Sequence, residues 1–248
     1  MTEFIDTWKE ALASDIIPGK REILQRFFKT GPGEYGGGDI FLGNTVPAVR
    51  KISRLMADAP FEAIGTMLRS PVHDHRLSAL LVLVERYRRA RKADEPQRRE
   101  IVDFYLAHTR SINNWDLVDL SAPKIIGEYI CESGRTDILD RLSRSSDLWE
   151  QRIAIVSTWT LLKNNITAPT IAISRRYLNH PHDLIHKATG WMLREMGKRG
   201  HEDMLYEFLD LHAYEMPRTM LRYAIEKLDG PLRKHYLELR SSDKQTRI

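Results

Sequence analysis

Apolar side chains recur every third or fourth residue along almost the whole chain. Between Leu77 and Tyr87, and again between Ile153 and Trp159, this spacing places them on one face of an α-helix. No run of alternating β-branched residues bounded by turn dipeptides interrupts the pattern. The sequence therefore predicts an all-α fold.

Glycine, proline and asparagine divide the pattern into short helical segments. The breaks are at Gly31–Gly33, Ser70–Pro71, Asp94–Pro96, Ser133–Gly134, Asn164–Asn165, His180–Pro181, Gly200 and Gly230–Pro231. The segments between these breaks are mostly about 10 to 20 residues long, and a succession of helices of this length predicts an array of helix pairs.

Four of the predicted helices begin in a similar way, with a basic residue followed by small and apolar residues. The helix starts are His73–Ala79, Leu148–Ala154, Asp183–Thr189 and Tyr214–Met220. Their basic residues are at positions 76, 152, 187 and 218, and the first interval is about two periods long, with its midpoint at Asn114. The period therefore drifts between about 38 and 31 residues. Such a period is typical of HEAT-like repeats, which stack into an α-solenoid.

Equivalent helices of a solenoid line one concave face, which is predicted here to be basic. Its members are Arg76, Trp115–Asp119, Arg152, Lys187–Trp191 and Arg218–Arg222. Two further cations, Arg194 and Lys198, lie in the C-terminal half of the chain. The formal net charge of the chain is +4. Such a face suits the phosphate backbone of DNA, although a solvated basic face would have the same composition.

The chain is predicted to form one repeat domain over residues 1–248. Residues 1–45 are N-terminal helices and a glycine-rich connector, residues 46–240 are helical repeats, and residues 241–248 are a tail. The connector, Gly31–Asp39, has no lysine and lacks the Gly-Lys-Ser/Thr ending of a phosphate-binding loop. We expect the connector to let Phe41 and Leu42 pack against the first repeat.

Cysteine content and hydropathy limit the cellular setting. Cys131 is the only cysteine, which excludes an intrachain disulfide and argues against a Cys-based zinc site. The longest apolar stretch, Leu77–Val84, is too short to span a bilayer, and no basic-then-apolar export signal is present. A monomeric cytoplasmic protein without membrane attachment is expected.

The segment from Asn113 to Asp119 carries the most chemistry. Asn113 is expected to cap a helix or to precede its cap, and Trp115 and Asp119 then share one helix face. Trp191 lies in an equivalent helix, so two tryptophans around a carboxylate would form a slot for a cation. The alternative is that Asp119 only complements the helix dipole and that Trp191 is core packing.

Four motifs give the chain its resemblance to the AlkD-type DNA alkylation repair proteins, which are HEAT-like repeat DNA glycosylases. The motifs are Asn114–Asp119, Glu150–Ala154, Lys187–Glu195 and Arg218–Ala224, and the resemblance extends from about Phe41 to Tyr236.

The resemblance implies hydrolysis of the N-glycosidic bond of cationic alkylpurines in duplex DNA, without base flipping and without a cofactor. By position, Asp119 matches the aspartate that stabilises the oxocarbenium-like sugar, and Trp115 and Trp191 match the tryptophans that pack on it. Arg152 matches an arginine that grips the DNA backbone. DNA contacts are also expected from the basic residues Lys187, Arg194, Lys198, Arg218 and Arg222.

The N-terminal region departs from this family pattern, because the element that cradles the lesion strand is shortened. Tyr35 is the candidate for its tyrosine. The departure leaves excision itself open, so a DNA-binding repeat protein with little or no excision activity is the alternative. A protein-interaction scaffold is a third hypothesis. His182 and His186 have metal-pair spacing but no accompanying Glu, and we interpret them as helix-start or surface histidines.

Overall fold

The computed structural model describes residues 2–90 and 94–239, and these residues are helical apart from loops and one isolated bridge. That bridge joins Ile40 to Val72. The all-α, solenoid-like fold class is therefore confirmed. The chain forms two compact units, Met1–Ile125 and Ile126–Ile248.

The N-terminal unit contains seven helices within its described residues. They are α1 (Thr2–Ala13), α2 (Lys20–Phe27), α3 (Val46–Leu55), α4 (Phe61–Leu68), α5 (His73–Arg89), α6 (Glu95–Ala107) and α7 (Trp115–Ala122). A 3₁₀ turn at Thr109–Ser111 precedes α7, and a π-helical turn at Pro123–Gly127 follows it.

The C-terminal unit contains eight helices within its described residues. They are α8 (Glu128–Ser133), α9 (Asp137–Ser143), α10 (Leu148–Lys163), α11 (Ala168–Arg176), α12 (Asp183–Lys198), α13 (Glu202–His212), α14 (Arg218–Ala224) and α15 (Gly230–Glu238). The predicted tail, residues 241–248, lies outside the described residues. The prediction of one continuous repeat domain with a concave basic face involves both units and stays a prediction.

Capping side chains explain where several of these helices begin. Asn114 caps α7, so the cap is one residue later than Asn113, and Asp147 caps α10 by accepting from the amides of Trp149 and Glu150. The starts predicted at His73, Leu148 and Asp183 are confirmed, whereas the one predicted at Tyr214 is wrong, because α14 begins at Arg218 after Pro217.

The helices of each unit pack in the order that the repeat pattern suggests. In the N-terminal unit, α5 packs against two helices that precede it in the chain, α3 and α4, and against the two that follow it, α6 and α7. Trp8 of α1 is fully buried, and its indole nitrogen donates to Ser78 of α5 at 2.9 Å. In the C-terminal unit, α12 packs against both α10 and α14.

The contact between α12 and α14 depends on one glycine. A Cβ atom at Gly190 would lie 2.3 Å from the backbone oxygen of Met220 and 2.6 Å from the Cβ of Tyr223. The two backbones can approach this closely only because the glycine has no side chain. No helix within residues 2–90 and 94–239 is both long and apolar enough to cross a membrane.

Gly190→Ala is expected to destabilise the protein by about 1–3 kcal/mol, because the added methyl group meets backbone that cannot move aside. Gly230→Ala is the matched control, since a Cβ at Gly230 meets nothing within 4 Å. Urea unfolding of the full chain measures both free energies. Equal stabilities of the two variants would show that the α12–α14 contact tolerates separation.

Candidate active site

Trp115 and Asp119 lie one turn apart at the start of α7, as their spacing predicts. Both side chains are half-buried, and both line the same cavity in the N-terminal unit. The cavity has a volume of about 480 Å³. A carboxylate and an indole therefore line one cavity that is open to solvent on one side.

Aromatic rings from α2 and from the segment before α3 form much of the cavity wall. Phe28 stacks on Trp115 with ring centroids 5.0 Å apart, and it also stacks on Phe41 at 4.9 Å. Phe27 meets Trp115 edge-on at 5.8 Å, although 61% of Phe27 is exposed. Trp115 is thus held between rings that leave part of its surface open.

The glycine-rich connector also contacts Trp115. The indole nitrogen of Trp115 donates a hydrogen bond at 3.2 Å to the hydroxyl of Tyr35, which belongs to the connector. A Cβ atom at Gly36 would lie 2.4 Å from the Phe28 carbonyl oxygen, so the connector packs directly on the end of α2. The structure thus brings together Tyr35 and Trp115, which the sequence links only through the family resemblance.

The prediction that residues after the connector tuck under the first repeat is confirmed. Phe41 is 2% exposed. Leu42 is half-buried, and its backbone amide donates to Asp74 of α5 at 2.8 Å.

A buried ionic cluster joins the connector to the starts of α5 and α7. The ring of His73 bonds Asp116 through Nε2 at 2.8 Å and Asp39 through Nδ1 at 3.2 Å. Asp39 also accepts from Arg76 at 2.6 Å and from the Asn114 amide at 3.3 Å. Because Asn114 and Asp116 flank Trp115, the cluster sets the position of the first turn of α7.

This cluster corrects the expectation for Arg76, which was predicted to face a phosphate backbone. Arg76 is buried, and its guanidinium pairs with Asp39 and donates to the Ser70 carbonyl oxygen. A basic residue early in a helix has the same sequence pattern whether it faces solvent or a buried acid. The partner, Asp39, lies in a loop that has no periodicity to reveal it.

The charges of the cluster shift its titration. Burial alone lowers the pKa of His73, but the charge and hydrogen bond of Asp116 and the hydrogen bond of Asp39 outweigh it, and the pKa rises to about 8. Burial raises the pKa of Asp39, yet His73 and Arg76 together hold it below its usual value. A charged imidazole between carboxylates is therefore the stable state at neutral pH.

The sequence prediction missed His73, Asp39 and Asp116 as supports of the site. Asp116 bonds His73 and lines the same cavity as Trp115 and Asp119.

The remaining predicted site residues belong to the C-terminal unit, on α10, α12 and α14. Arg152 of α10 is buried, and its guanidinium donates to the carbonyl oxygen of Leu184 at 2.7 Å. Trp191 of α12 is half-buried. Arg152 therefore joins two of the helices that the repeat pattern treats as equivalent.

The predicted DNA-binding cations on α12 pair with acids of the same unit. Lys187 pairs with the acid one turn before it at 2.8 Å, and Lys198 pairs with buried Glu195 at 3.1 Å. Arg194 contacts both Glu195 and Glu226. Neutralisation by these acids reduces the positive potential that α12 presents to a polyanion.

The two predicted cations on α14 are more accessible. Arg218 is exposed and donates to the Leu237 carbonyl oxygen at 2.9 Å. Arg222 is exposed, and it forms no ion pair with another residue in the described ranges.

The two histidines with metal-pair spacing belong to a helix start. The ring of His182 caps α12 by accepting from the Leu184 amide at 3.1 Å, and burial lowers its pKa, which keeps this acceptor neutral. His186 contacts the carbonyl oxygen of His180. No group of three or more His, Cys, Asp or Glu side chains suited to a metal ion occurs within residues 2–90 and 94–239.

Comparison with known proteins identifies similar sequences and folds. A family model described as DNA alkylation repair enzyme matches residues 8–228. No curated protein matches the chain. A solved structure described as a predicted DNA alkylation repair enzyme from Enterococcus faecalis is 14% identical, with a TM-score of 0.68, and the match covers 87% of this chain and 98% of that one. At this identity, the structural likeness shows the fold alone.

The His73 cluster is expected to make stability depend on pH. The folded pKa of about 8 lies above the unfolded value, so the stabilisation is present at low pH and is lost as pH rises through about 8. The unfolding free energy should fall by at most about 2 kcal/mol between about pH 6 and about pH 9. Urea titrations at a series of pH values measure this change.

His73→Gln should remove most of this pH dependence. His75→Gln is the control, because burial lowers the pKa of His75 to about 4, and above about pH 7 its ring is neutral in both the folded and the unfolded state, so the fall from there to about pH 9 should be unchanged. An undiminished slope in His73→Gln would contradict the assignment.

Proposed function

This chain belongs to the DNA alkylation repair enzyme family, and we propose that it is an AlkD-type glycosylase for cationic N3- and N7-alkylpurines in duplex DNA. The observation that carries the proposal is that Trp115 and Asp119 line one aromatic-walled cavity. The proposal includes action as a monomer and without a cofactor.

The reaction needs little beyond stabilisation of charge. The bond between C1′ and the purine nitrogen breaks, its electron pair stays with the purine, and the cationic base leaves as a neutral molecule. Positive charge then develops on the sugar, and water adds to C1′ and loses a proton to solvent. Because the alkylated base is already a good leaving group, one carboxylate near the sugar supplies the main remaining stabilisation.

Asp119 is suited to this role by its place at the wall of a partly apolar cavity. An ionised carboxylate stabilises a nearby cation more strongly where the surroundings exclude water. Trp115 offers the sugar the indole face that Phe28 does not cover, and its hydrogen bond to Tyr35 and its packing against Phe28 hold the ring in place. We propose that Asp119 and Trp115 act on the deoxyribose together.

The roles of Trp191 and Arg152 in DNA binding are proposed from the resemblance alone. Because Arg152 is buried and bonds the Leu184 carbonyl oxygen, a contact with the DNA backbone requires its guanidinium to move. Excision without base flipping is also implied by the resemblance. The role proposed for Asp119 holds whether or not the base leaves the stack, because its target is the sugar.

DNA binding itself is proposed to use the cations of α12 and α14. Their members are Lys187, Arg194, Lys198, Arg218 and Arg222. The alternative is a DNA-binding member of the family with little or no excision activity. Salt-sensitive binding without release of base would identify that alternative.

Asp119→Asn is expected to lower the rate of base excision by roughly 10²-fold or more, because an amide cannot neutralise the developing cation. Mass spectrometry of 3-methyladenine and 7-methylguanine released from alkylated duplex DNA measures the rate. Asp58→Asn is the matched control, since the Asp58 side chain is almost fully exposed and lies outside the cavity. Unchanged excision by Asp119→Asn would overturn the proposed chemistry.

Arg222→Ala is expected to weaken binding of duplex DNA about equally across sequences and to lower the salt dependence of log K by about one. Its exposed guanidinium is free of ion pairs within the described residues and is available to phosphate. Fluorescence anisotropy at several salt concentrations measures the slope. Arg135→Ala is the control, because Arg135 pairs with Asp137 at 2.8 Å. An identical slope for both variants would exclude Arg222 from the interface.

A further inference from the structure

Two cations without acidic partners lie next to the wall of the candidate active-site cavity. Arg50 belongs to α3 and lies one helical turn after Val46, which lines the cavity. Lys124 belongs to the π-helical turn after α7 and lies four residues after Leu120, which also lines the cavity. Neither cation forms an ion pair with another residue in the described ranges. Two separate elements therefore bring unpaired positive charge to one place.

The two cations are close enough to repel each other. Partial burial, and then the positive charge of Arg50, lower the pKa of the Lys124 ammonium group. Arg50 is half-buried, and much of the Lys124 side chain is exposed, so a ligand from solvent has access to both. Like charges held together raise the free energy of the unbound protein, and an anion between them would remove that repulsion.

The absence of acids around Arg50 and Lys124 contrasts with the other end of the N-terminal unit. On α5, Arg88 and Arg89 share the carboxylate of Glu85 at 2.6 Å and 2.8 Å. Such pairing is the usual arrangement for basic side chains on a protein surface, and it leaves little charge for a partner. The unpaired cations near the cavity therefore have the composition of an anion site.

The proposed chemistry creates a need for positive charge at this place. Each deoxyribose in DNA lies between two phosphates, so a carboxylate that approaches the sugar, as proposed for Asp119, is repelled by both. Arg76, the cation that the repeat pattern assigned to the N-terminal unit, is neutralised by Asp39. The other cations assigned to DNA belong to the C-terminal unit. Arg50 and Lys124 supply positive charge within the same unit as Asp119.

We propose that Arg50 and Lys124 together bind a backbone phosphate of the DNA strand beside the sugar on which Asp119 acts. A guanidinium donates two parallel hydrogen bonds to a phosphate, and an ammonium group adds a point charge and a further donor. The contact is to the backbone alone, so it leaves the base in the stack and agrees with excision without base flipping. The inference rests on the proposed function for the identity of the polyanion.

The first experiment measures binding of undamaged duplex DNA to the full chain by fluorescence anisotropy at several salt concentrations. Arg50→Gln and Lys124→Gln should each lower the salt dependence of log K by about one, and the double variant should bind roughly tenfold more weakly or worse. Lys51→Gln is the matched control, because Lys51 is exposed, follows Arg50 in α3 and does not line the cavity. It removes the same charge from another face of the helix.

The second experiment tests whether the contact is to one phosphate beside the reacting sugar. The ligand is a duplex with a tetrahydrofuran abasic site, and one linkage next to that site is replaced by an uncharged methylphosphonate. At the linkage that the two cations bind, this change should weaken binding to the wild type and to Lys51→Gln several-fold, with little further effect on the double variant. Equal losses for all three proteins at both neighbouring linkages would overturn the proposal.

Neither experiment requires base release, so the phosphate site and the proposed function can fail separately. A wild-type protein that shows the coupling to one linkage but releases no alkylpurine supports the phosphate site and overturns the proposed function alone. If excision depends on Asp119 but the double variant binds DNA as tightly as Lys51→Gln, the phosphate site is overturned and the proposed function stands.

Discussion

The ion pair between His73 and Asp116 is the interaction on which the candidate site depends. It places a charged imidazole between two carboxylates, all of them largely buried, and buried charges are tolerated only when each has a partner. The second carboxylate, Asp39, comes from the glycine-rich connector. The pair therefore fixes the first turn of α7 and also secures the connector that contacts Trp115.

The helical fold and the segment Asn113–Asp119 could be predicted from the sequence, because both have local patterns. Periodicity gave the fold class, and an early basic residue marked the starts of α5, α10 and α12. Spacing alone placed Trp115 and Asp119 on one face. Local rules of this kind depend on neighbours within one or two helical turns, which the sequence displays directly.

The supports of the site could not be predicted, because their partners are distant in the chain and follow no period. Asp39 lies in a loop, and its bond with Asn114 joins residues 75 positions apart. The environment of Arg76 was predicted wrongly for this reason. Phe27 and Phe28 are adjacent and both contact Trp115, yet Phe27 is exposed and Phe28 is buried, because Phe28 also packs against Phe41 and His73.

The hydrogen bond between Trp115 and Tyr35 has a consequence for the order in which the protein forms. It joins residues 80 positions apart, and the cavity wall extends from Lys20 on α2 to Leu120 on α7. A chain growing from its N-terminus can bring α1 and α5 together, as in the hydrogen bond from Trp8 to Ser78, before it has made α7. The cavity can close only when nearly the whole N-terminal unit has been synthesised, and long-range closure of this kind is a slow step of folding. Until then, the aromatic rings at the end of α2 lack the indole that they contact in the folded unit, so nascent chains expose apolar surface at the candidate site.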